Sequence, residues 1–375
     1  MLSKIENGDL HVSDYKMKAR IERLISIEWG GLYEILKRKE KKTVVFIDPL
    51  VYSLNSSSFD RIEKCNQNVE IIPTMINESQ KNLDSLVGVL ERFENLSIGR
   101  RDDFVYAVGG GALLDLISLA ANLFRRGVSV VKVPTTLLGC VDASIGIKTG
   151  INFLNRRNRL GTYYLNYSVL LDTSFLTSLG TSLLREGLGE IFKIALIKSE
   201  PLFRLLEENK KKLLSSDFYT SDKGRQIISM SIGLMLEELH ENPTESDLKR
   251  NVDFGHSFSP LVEMYSIELN GVEEISHGIA VGNDCVLTSI IAKNRKLLSE
   301  SDLLRVISLA EFIDFNKYHQ LQRDVDVMWS SFMDMTKHRG GDQNLPVPIG
   351  IGSYDFLQDV TYEELVKAVA ENANE

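Results

Sequence analysis

The sequence predicts an α/β domain with a mostly parallel sheet, followed by an all-helical C-terminal domain. Short apolar runs rich in β-branched residues alternate with helical patterns in the first half of the chain. This alternation is typical of parallel sheets covered by helices on both faces. After about Ser174 the strand signals nearly vanish and helical periodicity takes over. A length of 375 residues also favours two domains over one simple core.

Five segments are predicted as strands because each is short, apolar and followed by a Gly, Pro or Asp. They are Thr43–Ile47, Val69–Pro73, Phe104–Val108, Val128–Val133 and Val169–Leu171. Helical spacing of apolar residues predicts helices between these strands, from Asn82 to Phe93 and from about Leu113 to Phe124. The order of strands and helices therefore predicts a sheet whose connections cross over through helices.

We place the domain boundary near residue 175, with the α/β domain over 41–175 and the helical domain over 176–375. The clearest helical patterns of the second domain lie at Asp222–His240, Gly278–Asn294 and Ser299–Phe312. Two Gly-containing segments, 338–344 and 350–352, are predicted as loops.

Residues 1–40 are interpreted as an N-terminal extension. Its apolar residues predict packing against the α/β domain and not disorder, since a disordered segment has few residues that could be buried. These residues are Ile21, Leu24, Ile25 and Leu32.

Charge and composition exclude several classes of partner. The net charge of −9 argues against nucleic acid or an anionic membrane as the main partner. No apolar run approaches the length of a membrane span, and the first residues lack a signal pattern. Three widely spaced cysteines, Cys65, Cys140 and Cys285, fit reduced thiols in a cytoplasmic protein. Cys140 is interpreted as a small buried packing residue.

A triple glycine, Gly109 to Gly111, stands between a predicted strand and a predicted helix. Such a turn allows close approach of the backbone to a pyrophosphate, although three glycines without further spacing also fit a plain tight turn. Asp115 is predicted in the first turn of the following helix, where it could face the helix dipole or contact a ribose.

A second polar segment follows the strand that ends at Pro134. It contains Thr135, Thr136, Asp142 and Lys148. The carboxyl ends of parallel strands are where α/β proteins bind ligands, so this loop is a candidate binding segment. A solvated loop with a salt bridge is the alternative.

Three segments of the second half carry residues that suit a divalent metal. Glu190 and Lys193 share one face of a predicted helix. His256 follows a glycine in a charged segment whose Pro260 is expected to interrupt a helical pattern, and His277 precedes another glycine. One Glu and two His can supply three ligands and leave a coordination position open for substrate.

Together these motifs resemble the sugar phosphate cyclases, the family that includes 3-dehydroquinate synthase. The resemblance extends over roughly residues 40 to 355 and is carried by Gly109–Gly111, Asp115, Arg126-Gly127, Val133–Leu138, Val141–Lys148, Glu190, Lys193 and Asp253–Phe258. It implies an NAD-binding α/β domain, a helical domain holding Zn²⁺ or Co²⁺, a sugar phosphate substrate and a homodimer.

The resemblance also implies roles for individual residues. The implied metal ligands are Glu190, His256 and His277. Substrate-binding or catalytic roles fall on Asp142, Lys148, Arg157, Lys193, Arg250, Asp253 and also His256. The implied NAD contacts are Asp48, Glu78, Lys81, Gly110, Gly111, Asp115, Thr135, Thr136, Lys148, Arg157, Phe175 and Thr177. Arg126 matches an arginine that reaches the neighbouring subunit's site in the family.

Three departures favour one branch of the family. Dehydroquinate synthases carry Asn where this chain has Asp253, a second His where it has Pro260, and a carboxylate-binding Lys where it has Met235. Loss of an ammonium and gain of a carboxylate are expected to disfavour an acidic substrate end. The pattern resembles the sedoheptulose 7-phosphate cyclases, above all the 2-epi-5-epi-valiolone synthases.

The implied reaction is transient oxidation by NAD⁺, β-elimination of phosphate, return of the hydride, ring opening and an intramolecular aldol step that closes a C7 cyclitol. Desmethyl-4-deoxygadusol synthase and 2-epi-valiolone synthase remain open as alternatives. Further alternatives are 3-dehydroquinate synthase, a metal-dependent polyol dehydrogenase and an inactive cofactor-binding scaffold.

One position raises a question about the metal site. Many relatives carry Glu where this chain has Ile279, two residues after His277. An isoleucine cannot orient the imidazole through a carboxylate, so the polar support usually given to a metal-binding His is in doubt here.

Overall fold

The computed structural model describes residues 26–154, 156–164, 167–269, 272–315 and 319–373. The chain divides into two compact units. The first unit holds the described residues up to Pro134, then Ser144–Asp172 and Leu236–Ser246. The second holds Thr135–Ala143, Thr173–Met235 and the described residues from Asp247 onward. The sequence predicted one boundary near residue 175. In the structure, the chain passes from one unit to the other at several further positions.

The first unit is built on a parallel sheet. Its strands and those of a nearby hairpin are β1 (Ser26–Trp29), β2 (Thr43–Ile47), β3 (Val69–Pro73), β4 (Phe104–Gly109), β5 (Ser129–Pro134), β6 (Lys148–Phe153), β7 (Arg156–Tyr163) and β8 (Tyr167–Leu171). Among the described residues the sheet has six strands in the order β1-β8-β5-β4-β2-β3, all parallel. The mostly parallel α/β sheet is therefore confirmed. β6 and β7 form a separate antiparallel pair.

Strand β1 was not predicted, since it lies within the presumed extension. It pairs with β8, with Ile27 opposite Val169. Its four residues are mostly exposed and include a charge, so it lacks the apolar signal of an inner strand. Leu32, just after it, is fully buried, whereas Ile21, Leu24 and Ile25 lie outside the described residues.

In the described part of the first unit, five helices connect or flank the strands. They are α1 (Leu32–Lys37), α2 (Pro49–Leu54), α3 (Ser56–Cys65), α4 (Leu83–Asn95) and α5 (Gly111–Leu123). The two predicted helices correspond to α4 and α5, whereas the short α2 and α3 were not predicted. Strand β2 is buried along its whole length, as expected for an inner parallel strand covered on both faces.

The second unit is mainly helical. Its helices are α6 (Thr181–Lys198), α7 (Glu200–Asn209), α8 (Asp222–Glu241, of which the residues from Leu236 belong to the first unit), α9 (Ser259–Glu268), α10 (His277–Asn294), α11 (Glu300–Ile313), α12 (Gln320–Arg323), α13 (Val325–His338) and α14 (Tyr362–Ala373). The three predicted helices correspond to α8, α10 and α11. No helix within the described ranges is long and apolar enough to cross a membrane.

One hairpin corrects the expectation of an all-helical second domain. Strands β9 (Leu345–Gly350) and β10 (Ser353–Leu357) pair antiparallel, and the predicted loop at 350–352 is their turn. Two prolines in β9 weaken its strand signal, because proline donates no hydrogen bond to a ladder. Gly352 has a φ of +87°, a conformation that favours glycine.

Candidate active site

Three elements of the second unit bring Glu190, His256 and His277 together. Glu190 lies within α6, His256 on the turn before α9, and His277 at the first residue of α10. One ligand atom from each lies within 4.8 Å of the others. Glu190 Oε1 is 3.6 Å from Nε2 of His256 and 3.5 Å from Nε2 of His277. The geometry therefore points three potential ligands at one position.

Close packing of α6 against α10 places the carboxylate beside an imidazole. A Cβ atom added to Gly189 would overlap the backbone of Gly278, and one added to Gly278 would overlap the backbone of Glu186. Glycine at both positions lets the two helices approach closely. Glu190 and His277 are the immediate neighbours of these glycines, so this contact sets their separation.

The outer nitrogens of both imidazoles have partners. His277 Nδ1 lies 3.0 Å from Glu263 Oε2, and His256 Nδ1 lies 3.2 Å from the carbonyl oxygen of Phe254. With Nδ1–H donating, a neutral imidazole at either position would present the lone pair of its Nε2 toward Glu190, as metal-binding histidines do. This arrangement corrects the doubt raised by Ile279, because Glu263 on α9 supplies the carboxylate.

The residues fit a divalent cation. Glu190 is only 2% exposed, and its Oε1 has no hydrogen-bond donor within the described part of the chain. A buried carboxylate oxygen without a donor is costly unless a cation satisfies it. One carboxylate and two imidazole nitrogens form a donor set suited to Zn²⁺ or Co²⁺.

Lys193 lies one helical turn from Glu190, with its ammonium 2.5 Å from Glu190 Oε2. Its side chain is 4% exposed. Burial disfavours the ammonium, but the carboxylates of Glu190 and Asp142 raise the pKa of Lys193. The side chain therefore stays charged at neutral pH and acts as a hydrogen-bond donor.

The three ligand candidates differ in protonation. Burial opposes ionisation of Glu190, but Lys193 and the imidazoles lower its pKa. Burial and Lys193 lower the pKa of His256 to about 3. Burial also disfavours a charged His277, but Glu263 and Glu190 raise its pKa well above the usual value. Without metal, one imidazole is therefore neutral and the other is protonated.

We expect binding of Zn²⁺ to displace about one proton near pH 7, because a ligating imidazole must be neutral and only His277 carries a proton to lose. The apparent affinity should rise about tenfold per pH unit below the pKa of His277 and level off above it. Calorimetric titration of metal-free protein in buffers of different ionisation enthalpy measures this proton. Zn²⁺ binding without proton release would contradict the assignment.

Asp253 forms a buried cluster with two arginines. Arg250 Nη2 lies 2.6 Å from Asp253 Oδ1, and Arg339 Nε lies 3.1 Å from Asp253 Oδ2. This pairing corrects the expectation that Asp253 would repel a substrate carboxylate, because two guanidinium groups outweigh one carboxylate. Of the two departures expected to disfavour an acidic substrate end, the replacement of a lysine by Met235 is the one that this pairing leaves unchanged. Arg339 was missed because it lies in a segment predicted as a loop.

Pro260 is the second residue of α9 and does not interrupt a helix. Proline suits the first turn, where a backbone N–H would have no partner within the helix. The residue that replaces the family's second His is therefore part of a helix start.

In the first unit, Lys81 contacts both Asp115 on α5 and Asn158 on the hairpin formed by β6 and β7. Its ammonium is 2.5 Å from Asp115 Oδ2 and 2.7 Å from Asn158 Oδ1, and its side chain is nearly buried. Asp115 lies in the second turn of α5, since the helix begins at Gly111 with Gly110 as its N-cap. Its predicted place in the first turn was wrong, and its partner is Lys81.

Other predicted residues of the first unit form separate contacts. Glu78 Oε1 accepts a hydrogen bond from Asn152 and lies 3.9 Å from Arg157 Nε. Lys148 forms an ion pair with Glu245, a residue that the sequence did not mark as functional. No sequence signal links these two because they lie far apart along the chain.

Three other residues of the predicted cofactor set, Asp48, Thr136 and Thr177, have structural contacts of their own. Asp48 caps α2 by accepting hydrogen bonds from two of its backbone N–H groups. Thr135, Thr136, Phe175 and Thr177 belong to the second unit, unlike the rest of the set. Thr136 Oγ1 accepts from the N–H of Gly139, and Thr177 Oγ1 donates to the carbonyl oxygen of Ser174.

Comparison with known proteins covers most of the chain. The family model described as 3-dehydroquinate synthase N-terminal matches residues 71–186. The model for the C-terminal part of the same family matches residues 187–338. The two matches together span more than half of the sequence.

Two relatives and one solved structure show the degree of similarity. The 2-epi-5-epi-valiolone synthase of Streptomyces albus is 42% identical over 298 residues, which are 78% of this chain and 71% of that protein. The demethyl-4-deoxygadusol synthase of Trichormus variabilis is 30% identical, over 81% of this chain and 74% of its own. The 2-epi-5-epi-valiolone synthase ValA of Streptomyces hygroscopicus, solved with NAD⁺ and Zn²⁺ bound, has a TM-score of 0.84 at 32% identity, covering 100% of this chain and 99% of its own.

Proposed function

This chain belongs to the 3-dehydroquinate synthase family, and from that premise we propose that it is a sedoheptulose 7-phosphate cyclase forming 2-epi-5-epi-valiolone. The observation that carries the proposal is the buried cluster of Glu190, His256 and His277 with Lys193 beside it. The higher identity to a 2-epi-5-epi-valiolone synthase than to a demethyl-4-deoxygadusol synthase supports the choice of product.

Glu190, His256 and His277 would hold Zn²⁺ or Co²⁺, and the first unit would bind NAD⁺. When bound, the metal supplies Lewis-acid polarisation of substrate oxygens, and NAD⁺ supplies a reversible hydride acceptor. A hydride that is accepted and returned within one turnover would leave no net NADH.

Lys193 would act as a hydrogen-bond donor and not as a base. Its ammonium is held by Glu190, and its pKa is raised by Glu190 and Asp142 despite burial. A fixed positive charge stabilises negative charge that develops on a substrate oxygen during oxidation and elimination. Asp142 contributes by keeping this ammonium charged.

Lys148 and Arg157 would bind the phosphate that is eliminated. Both side chains are partly exposed, and each lies near a carboxylate, Glu245 and Glu78 respectively. An incoming phosphate with two negative charges competes well with a single carboxylate for such cations. Binding of the leaving group would thereby favour β-elimination.

Buried Met235 would favour a neutral polyol end over a carboxylate, because a thioether offers no charge.

Classification as a carbon–oxygen lyase acting on phosphates belongs to the same proposal. A homodimer is supported by the resemblance of Arg126 to the family's intersubunit arginine. A cytoplasmic location stays a prediction, which is supported by the finding that Cys65, Cys140 and Cys285 form no disulfide with one another.

The substrate is tested by incubating the protein with NAD⁺, Zn²⁺ or Co²⁺, and sedoheptulose 7-phosphate. Parallel reactions receive 3-deoxy-arabino-heptulosonate 7-phosphate. We expect inorganic phosphate from the first substrate alone, no net NADH, and an NMR spectrum of 2-epi-5-epi-valiolone. A reaction containing a chelator serves as the metal-free control and should release no phosphate.

Each other outcome identifies a different enzyme. Phosphate from the second substrate alone would make the protein a dehydroquinate synthase and refute our interpretation of Met235. Net formation of NADH would indicate a polyol dehydrogenase. A different cyclitol in the NMR spectrum would replace the proposed product while leaving the cyclase reaction in place.

A further inference from the structure

Helix α10 carries a second buried group on the same face as His277. Asp284 lies seven residues later, which is close to two helical turns. It is 1% exposed. Its Oδ2 accepts hydrogen bonds from three consecutive backbone N–H groups, those of Ser257 at 3.0 Å, Phe258 at 2.7 Å and Ser259 at 2.9 Å.

These N–H groups follow His256 directly and lead into α9. The N-cap of α9 is Phe258, whose side chain cannot accept a hydrogen bond. Pro260 has no N–H to satisfy, and the N–H of Leu261 donates to Ser331 Oγ. Asp284 therefore takes the place of the missing N-cap side chain. Its negative charge lies at the N-terminus of α9, where the helix dipole stabilises an anion.

Two further contacts hold the same turn. Thr288 Oγ1 donates to the other oxygen of Asp284 at 3.1 Å, which fixes the rotation of the carboxylate. Arg339 donates to Ser257 Oγ at 3.2 Å and contacts the carbonyl oxygen of His256 at 3.4 Å. The backbone that carries His256 is thus held on two sides by buried charged side chains.

The same helix start controls the second imidazole. One turn into α9, Glu263 orients His277 through Nδ1. Contacts therefore run from α10 through Asp284 to the beginning of α9, and from α9 through Glu263 back to the first residue of α10. His256 and His277 are both positioned by this closed set of contacts.

We propose that Asp284 is a positioning residue of the metal centre: it fixes the His256 turn and the start of α9 on the helix that carries His277. The inference rests on the proposed metal binding by Glu190, His256 and His277, but on no particular substrate. A neutral residue at this position accepts the three N–H groups less well, since hydrogen bonds to a charged acceptor are the stronger ones.

The test measures metal affinity of the metal-free full chain, by competition for Zn²⁺ with a chromophoric chelator. Asp284→Asn is expected to weaken Zn²⁺ binding by about 10-fold to 100-fold, the range found for residues that support metal ligands. The absorption spectrum of bound Co²⁺ should also change, because the geometry of the imidazoles changes. Both readouts are independent of substrate turnover, so failure of this inference is distinct from failure of the cyclase proposal.

Asp324→Asn is the matched control. Asp324 also caps a helix with its carboxylate, accepting from the N–H groups of Asp326 and Val327 at the start of α13. Because Asn caps an exposed helix start about as well as Asp, we expect this variant to leave both the melting temperature and the Zn²⁺ affinity nearly unchanged. If Asp284→Asn lowers stability but binds Zn²⁺ within about twofold of the control, a purely capping role replaces our inference.

A milder variant keeps the test decisive if Asp284→Asn does not fold. Thr288→Val removes only the hydroxyl that fixes the Asp284 carboxylate, and it should weaken Zn²⁺ binding by about twofold to tenfold, the equivalent of one hydrogen bond. Unchanged affinity in this variant would overturn the inference. So would a wild-type chain that binds no Zn²⁺, since there would be no metal centre to position.

Discussion

Glu190→Gln is expected to remove the metal from the protein and to destabilise the metal-free chain. The substitution keeps the shape of the side chain but removes the only carboxylate among the three ligand candidates. It also leaves the buried ammonium of Lys193 without its partner at 2.5 Å. Loss of one member of a buried ion pair costs about 3–5 kcal/mol in free energy of unfolding.

Two measurements check this expectation: metal content after dialysis against Zn²⁺, and urea unfolding of the metal-free protein. Glu186→Gln is the control, because Glu186 lies one turn earlier on α6 and accepts from the N–H of Gly278. An amide oxygen can still accept that hydrogen bond, so this variant should retain the metal. One Zn²⁺ per chain in Glu190→Gln would show that Glu190 is not a ligand.

Lys193→Met is expected to lower the rate of phosphate release by about 10²-fold to 10³-fold, the usual cost of losing one donor to a developing negative charge. Methionine nearly preserves the length of the side chain in its buried position but carries no charge. The metal-free variant should be less stable, because Glu190 loses its counterion. Zn²⁺ should restore more stability to the variant than to the wild type, since the cation neutralises the carboxylate that the substitution leaves unpaired.

The readouts are phosphate release, NAD⁺ binding by titration and melting temperature with and without Zn²⁺. We expect NAD⁺ binding to persist in Lys193→Met, as it should in Lys193→Ala. Lys198→Met, in the last turn of the same helix, is the control and should keep the wild-type rate. A normal rate in Lys193→Met would remove Lys193 from the mechanism.

Most of the sheet could be predicted because inner parallel strands appear in the sequence as short apolar runs. β2, for example, is buried over all five residues, and each of those residues is apolar or β-branched. β1 and β9 were not predicted, and the reason differs between the two strands. β1 is exposed and partly polar, whereas β9 contains prolines that are unfavourable in most strands. Their strand conformation depends on a partner strand and not on their own composition.

The residues of the candidate site, too, could be predicted only in part from the sequence. Glu190, His256 and His277 could be proposed from residue type, flanking glycines and a family resemblance. Glu263, Asp284 and Arg339 could not, because their contacts join residues 14, 26 and 83 positions apart along the chain. Nothing in the sequence near Asp284 marks it as the cap of another helix.

By itself, the sequence determined the order of the inner parallel strands, the change to a mainly helical second half and the types of side chain available for chemistry. Only the tertiary structure decided which of these side chains act together and in which charge state. Asp253 changed from an expected repulsive charge to the partner of two arginines, and His277 gained the carboxylate that Ile279 could not supply. The physical reason is that periodicity is a local property of the chain, whereas pKa and hydrogen bonding depend on the groups that packing brings into contact.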